Sequence, residues 1–388
     1  MANIGVGWKI LLVIAVMGMG GVSRSEDATE SSTWIGKITS VGREGKGNPE
    51  AAAAWKKLVQ QGPEVLPLIL RAMKDDDRIG SNWLRPAFEA VASRALAEGK
   101  LSAEPLESFV KDRKQSGAAR RLAFEWLTQV DKTAPDRWLP QMLDDPSAEL
   151  RRNAIDRLIK EGEKLAEKKD NDAAKSVFEK ALKTVGDPEQ IDVLAKALEK
   201  LGVKIDLPKT YGFIQQWHLI TPFDHRKGKG WNVAHPPEKG VDLAASYPGA
   251  DGKEAKWVPH STTDATGVVN LNKVLGNLKG TIAYACAQID SPDERLVEFR
   301  AGCINGLKIF LNGKEIFARE EYHHGMRVDQ YSARGVLQKG TNTILLKVAQ
   351  NEQKEPWAQN WQFQLRVCDT VGAAVPFTQK TTTKAEGK

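Results

Sequence analysis

Six histidines (His218, His225, His235, His260, His323 and His324), all in the second half of a 388-residue chain, are the side chains best suited to metal or acid–base chemistry. None stands in an HExxH pattern and no CxxC accompanies them, so the spacings that hold a transition metal are missing. His323 and His324 fall on an expected strand, where adjacent side chains leave opposite faces and do not chelate one ion. No metal and no cofactor is therefore expected. Nucleophilic chemistry fares no better, for there is no G-x-S-x-G elbow and no S-x-x-K. Glycoside hydrolysis needs only two carboxylates several ångströms apart, which leave no spacing signature. A carbohydrate-active enzyme, or its accessory subunit, thus stays as the alternative to a non-enzymatic reading.

The aromatic residues separate into two sets. Trp217, Phe299, Phe310 and Phe363 sit at alternating positions of apolar runs and read as core. Trp231, Tyr322 and Trp357 lie among polar and turn-forming residues ("KGKGWNVAHPPE", "REEYHHGMR", "QKEPWAQN"). A flat ring in a loop offers a stacking surface to the C–H face of a sugar, with neighbouring polar groups bonding the hydroxyls. The expected ligand-binding residues are Trp231, Tyr322, His323, Arg327 and Trp357.

Charge narrows the partners. The net charge of +6 divides into +2 before residue 26, balance (31 basic, 31 acidic) over 26–205, and 23 basic against 19 acidic groups over 206–388. No Lys/Arg stripe forms, so a nucleic-acid partner is not expected. Residues 1–25 read as an export signal, with Lys9 ahead of "ILLVIAVMGMGGV" and small residues around Ser23. A periplasmic or extracellular protein with no membrane span after signal removal follows as the expectation. Cys286, Cys303 and Cys368 are odd in number and read as buried thiols, with at most one disulfide among them.

These residues need a frame. Residues 26–47, rich in Ser, Thr and Gly, read as a flexible tether. Asn48-Pro49 then opens helical text that hides a repeat. Prolines at 67, 105 and 140 recur at near-constant intervals, each followed by a helix carrying Arg, any residue, Ala and a large apolar side chain: Arg85-Pro86-Ala87-Phe88, Arg121-Leu122-Ala123-Phe124 and Arg152-Asn153-Ala154-Ile155. Pro86 is expected to bend or shorten its helix. "LPQMLDDPSAELRRNAIDRLIKEG" resembles a HEAT-repeat unit, and the likeness, looser in the first two copies, implies an α-α superhelix over 48–203 with a face for a protein or envelope partner. "KIDLPK" marks a hinge at 204–210.

From Tyr211 the period changes to that of strands, and "GLKIFLNGKEIF" reads as a hairpin turning at Asn312-Gly313. "WHLITPFDHRKGKGWN", "GLKIFLNGKEIF", "LQKGTNTILLKV" and "WQFQLRVCD" resemble, in order and spacing, the galactose-binding-like jelly rolls found among carbohydrate-binding modules, although Thr221 replaces the Gly that precedes Pro-Phe in that family. The resemblance implies an antiparallel β-sandwich over 211–376 and room for a structural calcium, and it speaks for the fold more than for the ligand, so a saccharide or envelope glycan is expected on the strength of the loop aromatics; 377–388 reads as a disordered tail. The two halves are expected to fold independently. The reading in full is an exported, non-enzymatic binding protein, with a purely structural interaction protein as a further alternative.

Overall fold

The computed structural model describes residues 20–380, with side chains from Thr29 onward. Most of the expected export signal and the last eight residues of the expected tail lie outside them. The chain is mixed α and β, helical first and sheet-rich later, and it divides into two compact units at Pro135/Asp136.

Among the described residues the first unit is helical: α1 (Gly20–Thr39), α2 (Asn48–Leu58), α3 (Leu66–Ala72), α4 (Arg78–Ala97), α5 (Ala103–Lys111) and α6 (Gly117–Val130). Helix α1 corrects the tether expected at 26–47. Its Ser31, Ile35 and Ile38 recur at the spacing of one helical face and are buried, a stripe diluted in the sequence by surrounding Ser and Thr. The repeated Ala and large apolar positions point inward as the pattern required. Ala87 and Ala123 are fully buried, and so are Phe88 and, within 3%, Phe124, each worth about 2 kcal/mol of transfer free energy. Pro86 does not shorten α4, which runs 20 residues through it with the ring on the exposed face. Asp75, ahead of α4, accepts the Ser116 hydroxyl at 2.6 Å and the Gly117 amide at 3.2 Å, so one loop caps the N-terminus of a later helix.

A short α7 (Ala134–Trp138) spans the division. The second unit begins with α8 (Ala148–Glu167), α9 (Asn171–Leu182), α10 (Pro188–Lys200) and α11 (Leu207–Tyr211), capped by Ser147, Asp170, Asp187 and Asp206. Helices α8 and α9 approach closely because Gly162 has no Cβ, which would stand 2.4 Å from the Phe178 ring.

Thirteen strands follow among the described residues: β1 (Gln216–Asp224), β2 (Ser246–Pro248), β3 (Glu254–Lys256), β4 (Val258–Ser261), β5 (Val269–Asn270), β6 (Thr281–Ser291), β7 (Arg295–Cys303), β8 (Gly306–Leu311), β9 (Lys314–Arg319), β10 (Tyr331–Leu337), β11 (Gly340–Gln350), β12 (Gln362–Cys368) and β13 (Thr378–Gln379). Their pairings are antiparallel. The larger sheet runs β4-β1-β6-β11-β8-β9 with β13 added to β6, the smaller runs β10-β7-β12-β5, and β2-β3 is a separate hairpin. Two one-turn helices, α12 (Pro236–Lys239) and α13 (Leu271–Leu275), sit in connections. Side chains from both main sheets share one core, in which Trp217 and Phe363 meet edge to face at 5.1 Å and 90°. Strands β8 and β9 join at Asn312 and Gly313, whose φ of 50° and 82° match the expected two-residue turn. Thr378 and Gln379 pair with Asp290 and Ile289, so the ordered sheet continues past residue 377, where a disordered tail was expected.

The hinge expected at 204–210 is also corrected. Its residues 207–210 belong to α11, and Tyr211 and Phe213 are buried with Ile191, Leu194 and Leu198 of α10. The Tyr211 hydroxyl donates to Asp192 at 2.8 Å. Fully buried Arg366 of β12 makes a two-pronged pair with Asp329, both contacts at 2.6 Å, and donates to the carbonyls of Tyr211 and Gly372. Arg151 of α8 pairs with Asp369 just beyond β12 at 2.9 Å. The polar spacing of "KIDLPK" hides these long-range contacts, which bind α8–α11 and the sheets into one unit.

Candidate ligand-binding site

Three strand ends meet at one point of the larger sheet. The His225 amide after β1 donates to Gly280 O ahead of β6 at 2.8 Å, and the Gly280 amide donates to Asn351 O after β11 at 2.9 Å. Above this backbone relay lies the loop that leaves β9, where His323 adopts a left-handed φ of 58°. The expectation that His323 and His324 occupy a strand is therefore corrected, although they still diverge. The His323 amide donates to Asn305 at 3.2 Å and its ring faces the Asn351 side chain, while the His324 ring lies against Gln330 and Tyr331.

The hydrogen bonds fix the tautomers. Asn351 Oδ1 also accepts from the Gln353 amide, while its Nδ2 donates to Gln353, so the 2.6 Å contact is a His323 Nε2–H donation. That leaves His323 Nδ1 as a bare lone pair, buried without a partner. Tyr322 donates its hydroxyl to Glu320 at 3.0 Å, so at 2.7 Å His225 Nε2–H donates to the Tyr322 oxygen. Buried His225 has an unpartnered Nδ1 as well. Burial holds the His225 pKa below the usual imidazole value, and burial, reinforced by the Glu320 carboxylate, raises that of Tyr322.

Trp357 completes the cluster. It sits in a turn after Pro356, stands 61% exposed, and meets the His323 ring edge-on. Tyr322, His323 and Trp357 of the expected set thus come together. Trp231 lies beneath them and is not a contact surface: it is 7% exposed and packed in the apolar layer on the outer face of the larger sheet. A ring that size after a Gly-rich turn covers the sheet, and Lys308 crosses its face at 5.0 Å. Arg327 is exposed farther along the loop, its carbonyl against Gly302. Sequence reasoning missed His225, Asn305 and Asn351, which converge from segments far apart; the polar turn "QNEQKEP" after an apolar strand was the only local signal.

What the cluster offers is one open indole face, with the His323 imidazole at its edge and the Asn351 side chain behind that ring. Among the described residues no three His, Cys, Asp or Glu side chains gather in a metal-binding group. Cys286, Cys303 and Cys368 are buried free thiols, and burial pushes the first two up to about 12. No described helix is long and apolar enough to cross a membrane.

No family model and no curated protein matches the chain. Among solved structures, β-glucosidase from Kluyveromyces marxianus in complex with glucose aligns at 13% identity over 41% of this chain and 17% of that one, with a TM-score of 0.25. β-Glucuronidase from an uncultured Clostridium sp. aligns at 15% identity over 41% and 29%, TM-score 0.25, and a putative β-galactosidase from Bacteroides fragilis at 12% over 40% and 24%, TM-score 0.22. The chain spans less than a third of each of these glycosidases, and likenesses this slight carry no argument.

Proposed function

We propose that this is an exported binding protein whose sheet-rich part is a jelly-roll sandwich of galactose-binding-like type that takes a saccharide on the Trp357 face. The observation that supports this reading above all is an indole 61% exposed on a turn that Pro356 stiffens, beside a His323 ring held by Asn351. An exposed Trp buttressed at its edge presents a fixed face at small entropic cost, as stacking on a pyranose ring requires. The amides of Asn351 and Gln353 and the Glu352 carboxylate flank it in sequence, and hydroxyl groups are the donors and acceptors such groups match. The helices serve as a HEAT-like superhelix for a protein or envelope partner, with the buried Ala and large apolar positions of three successive copies in its support. Neither role involves catalysis or a cofactor. A glycan array probed with the full chain, followed by calorimetry on Trp357→Ala, tests the saccharide reading; affinity for the selected glycan that is unaltered by that substitution removes it.

A further inference from the structure

A second recess lies on the outer face of the larger sheet, away from Trp357. Lys347 of β11 is completely buried and donates to Trp231 O at 2.9 Å, Val233 O at 2.8 Å and Glu238 Oε1 at 2.9 Å. Its ammonium has three protons and all three are used. Tyr284 of β6 donates its hydroxyl to the same Glu238 oxygen. These bonds strap the connection between β1 and β2 across the sheet and fix the Glu238 side chain, 11% exposed, in one orientation.

Where the strap ends, a pocket of about 430 Å³ opens between it and the β8–β9 turn. Pro237, Phe310 and Leu345, all buried, form its floor. Gln338, Thr343 and Glu238 also line it, and neither the Gln338 side-chain amide nor the Thr343 hydroxyl has a side-chain partner among the described residues. An apolar floor with a few convergent polar groups is the composition of a small-molecule site, and this volume lies in the range of such sites. We infer that this pocket is a binding site for a neutral, hydroxyl-rich ligand of about one or two sugar rings, its hydroxyls bonded by Glu238, Gln338 and Thr343 and its C–H face on Phe310 and Leu345.

Charge selects the class. Lys347 neutralises Glu238, and Lys239 beside it adds a second positive charge, so a cationic ligand gains nothing there. A carboxylate held by two donors on one oxygen still accepts from hydroxyls on the other. The site is independent of the Trp357 reading, since the two share no residue.

Titrating the full chain with galactose, glucose or N-acetylglucosamine, while following the backbone amides of Gly240, Asn312 and Thr343 by NMR, tests the inference. At least one sugar is expected to shift these amides with a Kd of roughly millimolar order. Thr343→Leu and Gln338→Leu should each weaken binding at least about tenfold while the melting temperature holds. Trp357→Ala should leave this titration unchanged, which separates the pocket from the loop site. Silence of these amides with all three sugars at concentrations on the order of 100 mM overturns the assignment. So does unaltered affinity in both the Thr343→Leu and Gln338→Leu variants.

Discussion

The His323 imidazole stands edge-on to the Trp357 indole, ring centres 5.5 Å apart and planes at 81°. The imidazole is fixed on its far side by Asn351, so the exposed ring rests on a group that is itself anchored to the end of β11. His323→Ala should accordingly weaken any saccharide bound at Trp357 while removing no direct contact. Calorimetry should register a loss of roughly threefold to tenfold, smaller than that of Trp357→Ala, with little change in melting temperature.

Core and loop tryptophans should differ in kind. Trp217 is fully buried, bonded through its indole N–H to Ile214 O at 3.1 Å and packed on Phe363. Trp217→Ala should cost about 3–5 kcal/mol in denaturant unfolding. A loss below about 1 kcal/mol would place the core of the sheets elsewhere.

The strap makes its own prediction. Lys347→Met leaves the Glu238 carboxylate nearly buried without its counter-charge, which costs about 3–5 kcal/mol. Adding Glu238→Leu to the same chain should recover a large part of that loss. Equal stability of the single and double variants would mean that the pair does not act as a unit.

Stability should fall in mild acid. Burial lowers the pKa of His235 from 6.5 to about 4 and holds His225 below 6.5, so the unfolded chain binds protons that the folded chain refuses. The stabilisation is present in full above pH 6.5 and is lost as the pH falls toward 4. Melting temperature measured across that window should drop, and His235→Gln should flatten the curve.

Much of the fold was legible because periodicity records burial locally. The Ala and large apolar repeat announced which faces of α4, α6 and α8 turn inward, and Asn312-Gly313 announced its hairpin. Long-range polar contacts leave no such trace. Nothing in "KIDLPK" shows that Arg366, more than 150 residues later, bonds Tyr211 O, and so the expected hinge became part of a folded unit. Likewise the loop aromatics could be chosen by their polar neighbours, yet only the packing separates exposed Trp357 from buried Trp231. A fragment of 136–388 should therefore unfold cooperatively, whereas 206–388 alone, lacking the helices that cover Tyr211 and Arg366, should melt lower or aggregate.

The most direct measurement is calorimetric titration of the full chain and of Trp357→Ala with whichever saccharide a glycan array selects. The account predicts binding of roughly micromolar to millimolar Kd in the parent and its loss at the loop in the variant, which keeps at most the weak, roughly millimolar binding of the Glu238–Thr343 pocket, at unchanged melting temperature. Equal affinity in both proteins, or an array on which no glycan is retained, contradicts it.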